Sequence, residues 1–279
     1  MRDVHMNEIV KTIKEKARKI RCHVIGMLAE AGSGHPGGSL SMTDIIATLY
    51  FSGQMKYDPK KIDWAGRDYF ILCKGHAVPA QYAAMAEAGY FPIEELKTLR
   101  KLNSRLQGHP DRNHLPGIEV STGSLGQGLS AAVGMALGLK LDGQGNRVFA
   151  VLGDGELQEG QVWEAAMNAA AKKVDNLIAF VDRNELQIDG PTEKVKAVEP
   201  VADKWKAFGW HTTVIDGHDV EQILKALEEG KQIKGKPVMI VARTVKGKGV
   251  SFMEGKVNYH GVAPTRDEEK KALEELGHA

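Results

Sequence analysis

The stretch Arg147-Val-Phe-Ala-Val-Leu152-Gly-Asp-Gly-Glu156 runs from an apolar segment into a polar turn. Its apolar part is typical of a buried parallel strand, and Asn176-Leu-Ile-Ala-Phe-Val-Asp182 has the same character. Residues 162–173 lie between them and have the small-residue face of a packed helix. Because a strand, a helix and a strand follow in this order, the segment predicts a right-handed βαβ unit.

Each predicted strand ends in a polar cluster, one around Asp154 and the other around Asn184, about thirty residues later. Open α/β sheets bind their ligands just past the carboxyl ends of the strands. Taken singly, Asp154 is more simply interpreted as a turn residue and Asn184 as a capping residue. Together they offer two hard oxygens, and a nearby backbone carbonyl could offer a third. A site with so few protein oxygens favours Mg²⁺, because phosphate oxygens and water can complete the coordination of this ion.

Composition and charge limit the classes of protein to which this chain can belong. Of its 279 residues, 42% are hydrophobic and 26% are charged, as in an ordinary globular protein. The formal net charge is +1, so no bulk field attracts the chain to nucleic acid or to a membrane. The first twenty residues lack the apolar segment of a secretory signal, and no apolar run approaches the ~20 residues that span a bilayer. We therefore expect neither nucleic acid nor a membrane as a partner.

The two cysteines, Cys22 and Cys73, both lie in apolar-rich segments, which favours buried free thiols over a disulfide. Free thiols fit a reducing compartment, so we expect a cytoplasmic protein.

Hydrophobic periodicity predicts a single α/β domain over residues 1–279, with an N-terminal helical extension. We expect a doubly wound, mostly parallel sheet flanked by helices, with the loops on one edge. Helix 41–51 is expected to be capped by Ser41 or Thr43, and residues 253–264 are expected to form a loop. The other predicted helices are 7–31, 79–89, 92–102, 126–141, 219–230 and 266–276, and the other strands are 68–73, 211–215 and 237–243.

The Gly-Asp-Gly turn and the distant Asn184 resemble the diphosphate-and-metal signature of thiamine diphosphate enzymes. Further blocks narrow the resemblance to transketolases, because they follow the order found in that family and cover essentially the whole chain. A lone Gly-Asp-Gly carries little weight, whereas an ordered set of blocks is specific. These blocks are Ser33-Gly-His-Pro-Gly-Gly-Ser-Leu-Ser41, Lys74-Gly-His-Ala77, Gln107-Gly-His-Pro110, Ser121-Thr-Gly-Ser-Leu-Gly-Gln-Gly128 and His260-Gly-Val-Ala-Pro264.

The resemblance implies a thiamine diphosphate-binding fold of the PP type, with the cofactor held through a metal ion. Asp154, Asn184 and the backbone carbonyl of Leu186 would bind Mg²⁺, for which Ca²⁺ or Mn²⁺ can substitute.

Four further residues are implied to contact the cofactor. Gly123 and Leu125 would line its pocket, and Ile188 would pack beside its ring. Gly155 would let its amide approach a diphosphate oxygen, because glycine places no side chain in the way.

Four histidines lie in Gly- or Pro-punctuated loops, where functional residues concentrate, although a turn or surface role is the simpler interpretation for any one of them. The resemblance makes all four candidate catalytic residues. His35 and His260 would lie close to the reacting centre, with His260 also contacting the cofactor. His76 would contact the diphosphate and the substrate, and His109 would bind a hydroxyl of the donor sugar. Imidazole suits this work because it can donate, accept or exchange a proton near neutral pH.

Several charged residues near these blocks receive no assigned role. Glu156 has no clear function, and Glu159 matches a family glutamate at the subunit boundary or is a solvated helix acid. Lys246 and Lys248 could meet phosphate or form a solvated basic turn. His218, in an Asp-Gly-His-Asp segment, is expected to be a turn and helix-capping residue.

The resemblance also implies that this chain carries only one of the two domains that a transketolase needs. In transketolases, the glutamate that activates the cofactor and most arginines that bind the sugar phosphate lie on a second, pyrimidine-binding domain. A chain of 279 residues has room for the diphosphate-binding domain but not for a second domain of similar size. We therefore expect the N-terminal subunit of a split transketolase, paired with a C-terminal subunit in an α2β2 heterotetramer. Such an enzyme would transfer a two-carbon ketol unit between sugar phosphates, as in the pentose phosphate pathway.

Other functions remain open at this point. A 1-deoxyxylulose-5-phosphate synthase relative or a 2-oxo acid dehydrogenase α-subunit would share Asp154 and Asn184, but neither is expected to carry the first and last of the histidine blocks. A non-catalytic partner that retains a cofactor site is a different class, against which the intact set of loop histidines argues.

Overall fold

A parallel five-stranded sheet runs through the computed structural model, which describes residues 2–277. Met1 and residues 278–279, the ends of the predicted domain, lie outside the described residues. The strands within that range are β1 Tyr69–Leu72, β2 Val148–Gly153, β3 Leu177–Arg183, β4 Leu186–Gln187, β5 Gly190–Pro191, β6 His211–Asp216 and β7 Val238–Arg243. The sheet has the order β1-β2-β3-β7-β6, while β4 and β5 form a separate antiparallel pair.

The strands place alternate side chains in two apolar cores, one on each face of the sheet. In β2, Phe149 and Val151 pack into the first core, whereas Ala150 and Leu152 pack into the second. Every residue of β3 is buried. Burial on both faces explains why the apolar runs of the sequence are continuous rather than alternating.

Helices cover both faces of the sheet. Within residues 2–277 the α-helices are α1 Arg2–Ala31, α2 Pro36–Ser41, α3 Thr43–Phe51, α4 Val78–Glu87, α5 Gln127–Leu141, α6 Gly160–Ala171, α7 Thr192–Val195, α8 Val201–Ala207, α9 Val220–Gln232 and α10 Arg266–Glu275. Helices α1, α3, α4 and α9 contribute to the first core, and α5, α6 and α8 contribute to the second. This arrangement confirms the predicted doubly wound α/β fold.

Two predicted helix starts are wrong. The helix expected from residue 7 begins at Arg2, and the helix expected over 41–51 begins at Thr43, because Ser41 is the last residue of the separate helix α2. Neither predicted side chain caps α3. Met42 occupies the cap position, and the Thr43 hydroxyl donates instead to the Ser39 carbonyl at 2.9 Å.

The helix predicted over 92–102 is only a 3₁₀ turn, Ile93–Thr98. The backbone becomes extended at Leu99, whose ψ is 127°, and Arg100 has a positive φ of 61°. Leu102 is 93% exposed, so the apolar face that would hold a longer helix against the core is missing. The predicted loop 253–264 also contains a 3₁₀ turn, Val257–His260.

Cys22 and Cys73 are both free and buried, which confirms the prediction for the thiols. Burial raises the pKa of each. None of the helices formed by residues 2–277 combines the length and the apolar character needed to cross a bilayer.

Candidate active site

The predicted site residues all line one cavity of about 360 Å³. The cavity lies at the carboxyl edge of the sheet, where the chain leaves β1, β2 and β3. The structure brings these residues together, and their individual roles stay predictions. They are His35, His76, His109, Gly123, Leu125, Asp154, Gly155, Asn184, Leu186, Ile188 and His260.

Asp154 follows the last residue of β2 and is only 2% exposed. Its Oδ2 accepts hydrogen bonds from the Glu185 amide at 2.6 Å and from Arg183 Nη1 at 3.0 Å. Its Oδ1 accepts the Gly155 amide at 2.8 Å. Burial and the nearby Asp182 raise the pKa of Asp154, while Arg183 and the Glu185 amide oppose that rise. These donors hold the carboxylate in one orientation at the cavity wall.

The Asn184 side chain is oriented by Asp182, two residues earlier on β3. Its amide nitrogen donates to Asp182 Oδ2 at 3.1 Å, and its oxygen accepts the Leu186 amide at 3.2 Å. Because the nitrogen is committed to Asp182, the oxygen is the atom left to bind a cation.

Asp182 forms a buried ion pair with Lys74, which lines the cavity. Lys74 Nζ donates to Asp182 Oδ2 at 2.5 Å and to the Gly38 carbonyl at 2.7 Å. Hydroxyl donors from Ser41 and Thr244 complete the shell of the carboxylate. Burial alone would raise the pKa of Asp182, but Lys74 and these donors hold it below its ordinary value. The pair fixes the ends of β1 and β3 relative to each other.

The two lysines of the basic turn after β7 differ completely in environment. Lys246 is 3% exposed, lines the cavity and donates to the Leu186 carbonyl at 3.1 Å. Burial and the nearby Lys74 lower the pKa of Lys246 to about 8. Lys248 is on the surface and pairs with Glu254 at 3.3 Å. The cavity is therefore lined by two buried amines, those of Lys74 and Lys246, in addition to its carboxylates.

The four loop histidines form one cluster around His35. Its ring centroid lies 5.1 Å from that of His76, 5.7 Å from that of His260 and 6.3 Å from that of His109. The rings of His76 and His260 are themselves 5.2 Å apart. Four segments that are distant in the chain thus present imidazoles to one wall of the cavity.

Burial lowers the pKa of every histidine in this cluster. The pKa falls to about 4 for His35, where Arg100 adds to the effect, and to about 3 for His260, where Lys246 does so. The pKa of His76 is well below its ordinary value because of burial and Lys74. That of His109 is lowered by burial and Arg100. All four rings are therefore neutral at pH 7, and each can donate one hydrogen bond and accept another.

Glycine is required where the Gly-rich loop meets His109. Gly123 has a φ of +135°, and a Cβ built on it would lie 2.7 Å from His109 Cδ2. On its other side, the loop that carries His109 is held by Tyr82, whose hydroxyl donates to the carbonyls of Gln107 and His109 at 3.0 and 3.2 Å. The close approach sets the position of the His109 ring.

Glu156 and Glu159 occupy different positions on the cavity wall. Glu156 is 2% exposed, and its two oxygens accept the amides of Gly126 at 3.0 Å and Gly153 at 3.1 Å. Burial raises the pKa of Glu156 to about 7. It therefore ties the start of α5 to the end of β2. Glu159 is exposed at the rim.

These residues fit thiamine diphosphate held through a divalent cation. Asp154, Asn184 and the Leu186 carbonyl supply oxygen donors, and the lysine ammonium groups complement a diphosphate. Nδ1 of His35 and Nδ1 of His260 are buried without a hydrogen-bond partner, as expected of groups that meet a ligand.

In the described part of the chain, no three His, Cys, Asp or Glu side chains converge as a metal site. A cation here would rely on a carboxylate, an amide and a carbonyl, completed by phosphate oxygens and water.

Lys74 and Asp182 were not predicted to be site residues, and Lys246 had no predicted role. One signal was available for Asp182, because a charged residue at the end of a strand buried on both faces must have a buried partner. Lys74 stands two residues before His76, inside a block that was recognised for its histidine alone. For Lys246, no local pattern separated it from the exposed Lys248.

The family profile described as "Transketolase, thiamine diphosphate binding domain" matches residues 12–279. The chain belongs to the transketolase family. It is 48% identical over 271 residues to the 6-deoxy-6-sulfo-D-fructose transketolase subunit SqwG of Clostridium sp. (strain MSTE9), covering 97% of this chain and 98% of that protein. It is 41% identical over 265 residues to one of the subunits of the apulose-4-phosphate transketolase of Actinobacillus succinogenes, with 95% of each covered.

Solved transketolases share the fold described above. The Leishmania mexicana transketolase superposes with a TM-score of 0.89 at 36% identity, over 95% of this chain and 41% of that chain. The Campylobacter jejuni enzyme gives a TM-score of 0.90 at 35% identity, over 96% of this chain and 43% of that chain. This chain thus spans about two fifths of the length of these transketolases.

Proposed function

We propose that this chain is the N-terminal subunit of a two-chain transketolase, which transfers a two-carbon ketol unit from a ketose phosphate to an aldose phosphate. The observation that carries the proposal is that one cavity is lined by oxygen atoms suited to bind a metal, by the lysine amines and by the four neutral histidines. Family membership favours this reaction over those of 1-deoxyxylulose-5-phosphate synthases and 2-oxo acid dehydrogenases.

The cofactors of the proposed enzyme are thiamine diphosphate and Mg²⁺. Asp154, Asn184 and the Leu186 carbonyl would hold the metal against the diphosphate, and Lys246 would neutralise part of the remaining charge, because Lys74 is already paired with Asp182. Gly123, Leu125, Gly155 and Ile188 would line the path of the rings and the diphosphate. When bound, the cofactor supplies the nucleophilic carbon and the electron sink for carbon–carbon cleavage.

The histidines would act on the sugar. A neutral imidazole can donate to a carbonyl or hydroxyl oxygen and can accept a hydroxyl proton as the reaction proceeds. His35 and His260, whose Nδ1 atoms lack partners in the protein, would each have a ring nitrogen free to meet a substrate oxygen. His109, at the edge of the cluster, would bind a donor hydroxyl, and His76 would contact both diphosphate and substrate.

The partner would be a C-terminal subunit with the pyrimidine-binding domain, in a cytoplasmic α2β2 assembly. Support comes from the two relatives named as subunits, because this chain covers 98% of one and 95% of the other. The names of these two relatives specify different sugars, 6-deoxy-6-sulfo-D-fructose and apulose 4-phosphate. A substrate screen should therefore include both beside the ketose phosphates of the pentose phosphate pathway.

Reconstitution tests the proposal. Ketol transfer is measured for this chain alone, for the partner alone and for the mixture, each with Mg²⁺ and thiamine diphosphate. We expect turnover on the order of 1–10³ s⁻¹ for the mixture only. Turnover at that rate by this chain alone would refute the two-chain proposal. A mixture that binds the cofactor but never turns over any of these sugars would favour a non-catalytic partner.

A further inference from the structure

His218 joins a buried ionic group that the proposed function leaves unused. It was expected to be a turn and helix-capping residue. It does lie in the turn before α9, but Asp219 caps that helix, with its carboxylate accepting the amides of Glu221 and Gln222. The His218 ring donates through Nδ1 to Asp44 Oδ2 at 2.8 Å. Asp44 also accepts two hydrogen bonds from the Arg21 guanidinium, at 3.0 and 2.6 Å.

This group holds both sides of the turn formed by residues 244–249, here called the Lys246 turn. On one side, the Val245 amide donates to His218 Nε2 at 2.8 Å. On the other, Arg21 Nε donates to the Lys248 carbonyl at 3.1 Å. Because Nε2 accepts a hydrogen bond, the proton of the neutral ring is on Nδ1, where it meets Asp44. The ring is therefore a fixed bridge between Asp44 and the turn.

The Lys246 side chain has little freedom of its own. The Gly247 amide donates to the Gly37 carbonyl at 3.0 Å, so the turn lies directly on α2. A Cβ built on Gly37 would lie 2.9 Å from Lys246 Cγ and 2.8 Å from the Tyr259 carbonyl oxygen. The aliphatic stem of Lys246 is thus packed against backbone, and a shift of the turn would carry the ammonium away from the Leu186 carbonyl.

We propose that His218, held by Asp44 and Arg21, is a positioning residue that sets the place of the Lys246 ammonium and thereby the affinity of the site for a diphosphate. The inference rests on the proposed function, since it takes the diphosphate of thiamine diphosphate as the group that Lys246 meets.

A double-mutant cycle on the assembled two-chain enzyme tests it, with thiamine diphosphate titrated calorimetrically at saturating Mg²⁺. We expect His218→Ala to raise the Kd about tenfold, as outer partners of a ligand-binding group do. His218→Gln should recover most of the loss, because its amide can also donate and accept. In a Lys246→Ala background, His218→Ala should cause no further change, since the residue through which it acts is gone.

Additive effects in the cycle, or no rescue by His218→Gln, would overturn the inference. His211→Ala, at a histidine on β6 that pairs with Glu229 instead, is the matched control and should leave the Kd unchanged. Asp44→Asn changes the carboxylate that holds His218, so it should raise the Kd in the same way. It replaces His218→Ala in the test if that variant fails to fold.

A second readout needs no cofactor. Mass spectrometry follows the rate at which an acylating reagent modifies Lys246. This rate should be at least about tenfold higher in His218→Ala than in the parent enzyme, and it should stay near the parent rate in His218→Gln. An unchanged rate in His218→Ala would overturn the positioning role. If the parent enzyme, without any substitution, bound no thiamine diphosphate, the proposed function would fail. The labelling rate would still decide whether His218 positions Lys246.

Discussion

The carboxylate of Asp154 accepts a hydrogen bond from the backbone amide of Glu185 at 2.6 Å. This contact joins the polar turn after β2 to the turn after β3, so the two halves of the proposed metal site form one bonded unit. Glu185 has a positive φ of 68°, which is uncommon for a residue other than glycine. Donation to a buried carboxylate offsets that strain and aims the neighbouring Asn184 and Leu186 at the cavity.

Removing the Asp154 carboxylate should abolish tight cofactor binding. In the assembled enzyme, Asp154→Ala deletes the proposed charged metal ligand, and the Kd for thiamine diphosphate with Mg²⁺ should rise at least about 100-fold. Calorimetric titration measures the Kd, and circular dichroism checks the fold. Asp203→Ala, at an exposed aspartate of α8, is the control. Unchanged affinity in Asp154→Ala would remove the metal assignment.

Arg183 should contribute to stability through the same carboxylate. It is 4% exposed and bonds Asp154, Thr192 and Glu199 at once, so Arg183→Met leaves a buried carboxylate without its cation. We expect the free energy of unfolding, measured with urea without cofactor at pH 7, to fall by about 3 kcal/mol. Arg243→Met changes the exposed arginine beside it in the sheet and should cost less than about 0.5 kcal/mol. Equal losses in the two variants would contradict a special role for the Arg183 pair.

The neutral histidines should make stability depend on pH. The pKa of His76 is well below 6.5 in the folded chain, so below about pH 6.5 the unfolded chain binds one proton more and stability is lost as the pH falls. Glu156 acts in the opposite sense, because its folded pKa is about 7, above the 4.5 of the unfolded chain. The difference between parent and variant therefore isolates His76. Between pH 6 and 5, the parent should lose about 1.4 kcal/mol per pH unit more than His76→Asn. Parallel curves would show that His76 titrates normally.

Histidines at opposite ends of the cluster should separate substrate binding from cofactor binding. His109→Ala removes one hydrogen bond to the donor, which is worth about 0.5–1.5 kcal/mol, and kcat/KM for the donor should fall by at least the corresponding factor. The Kd of thiamine diphosphate should stay nearly unchanged. His76→Ala should weaken cofactor binding as well. Steady-state kinetics and calorimetry on the same preparations provide both quantities. The reverse pattern would show that the two roles have been exchanged.

The sequence alone determined the fold class and identified the loop histidines, Asp154 and Asn184 as residues that line one cavity. Continuous apolar runs identified β2 and β3, because strands covered on both faces are apolar over most of their length. The polar residues directly after those strands were then certain to meet at one sheet edge, since parallel strands share their carboxyl ends. The histidine blocks could be recognised because their glycines and prolines give each loop a distinct local pattern.

Tertiary structure decided which charged residues belong to the site. Lys246 and Lys248 are two residues apart in one basic turn, yet one is buried against Leu186 and the other pairs with Glu254 on the surface. The Lys74–Asp182 pair and the Asp44–His218 contact join residues 108 and 174 positions apart, respectively. Local pattern reports periodicity and turn chemistry, whereas the burial of a charge depends on which distant segment packs over it. That packing exists only once the sheet has assembled with β2 between β1 and β3, and with β7 on the other side of β3.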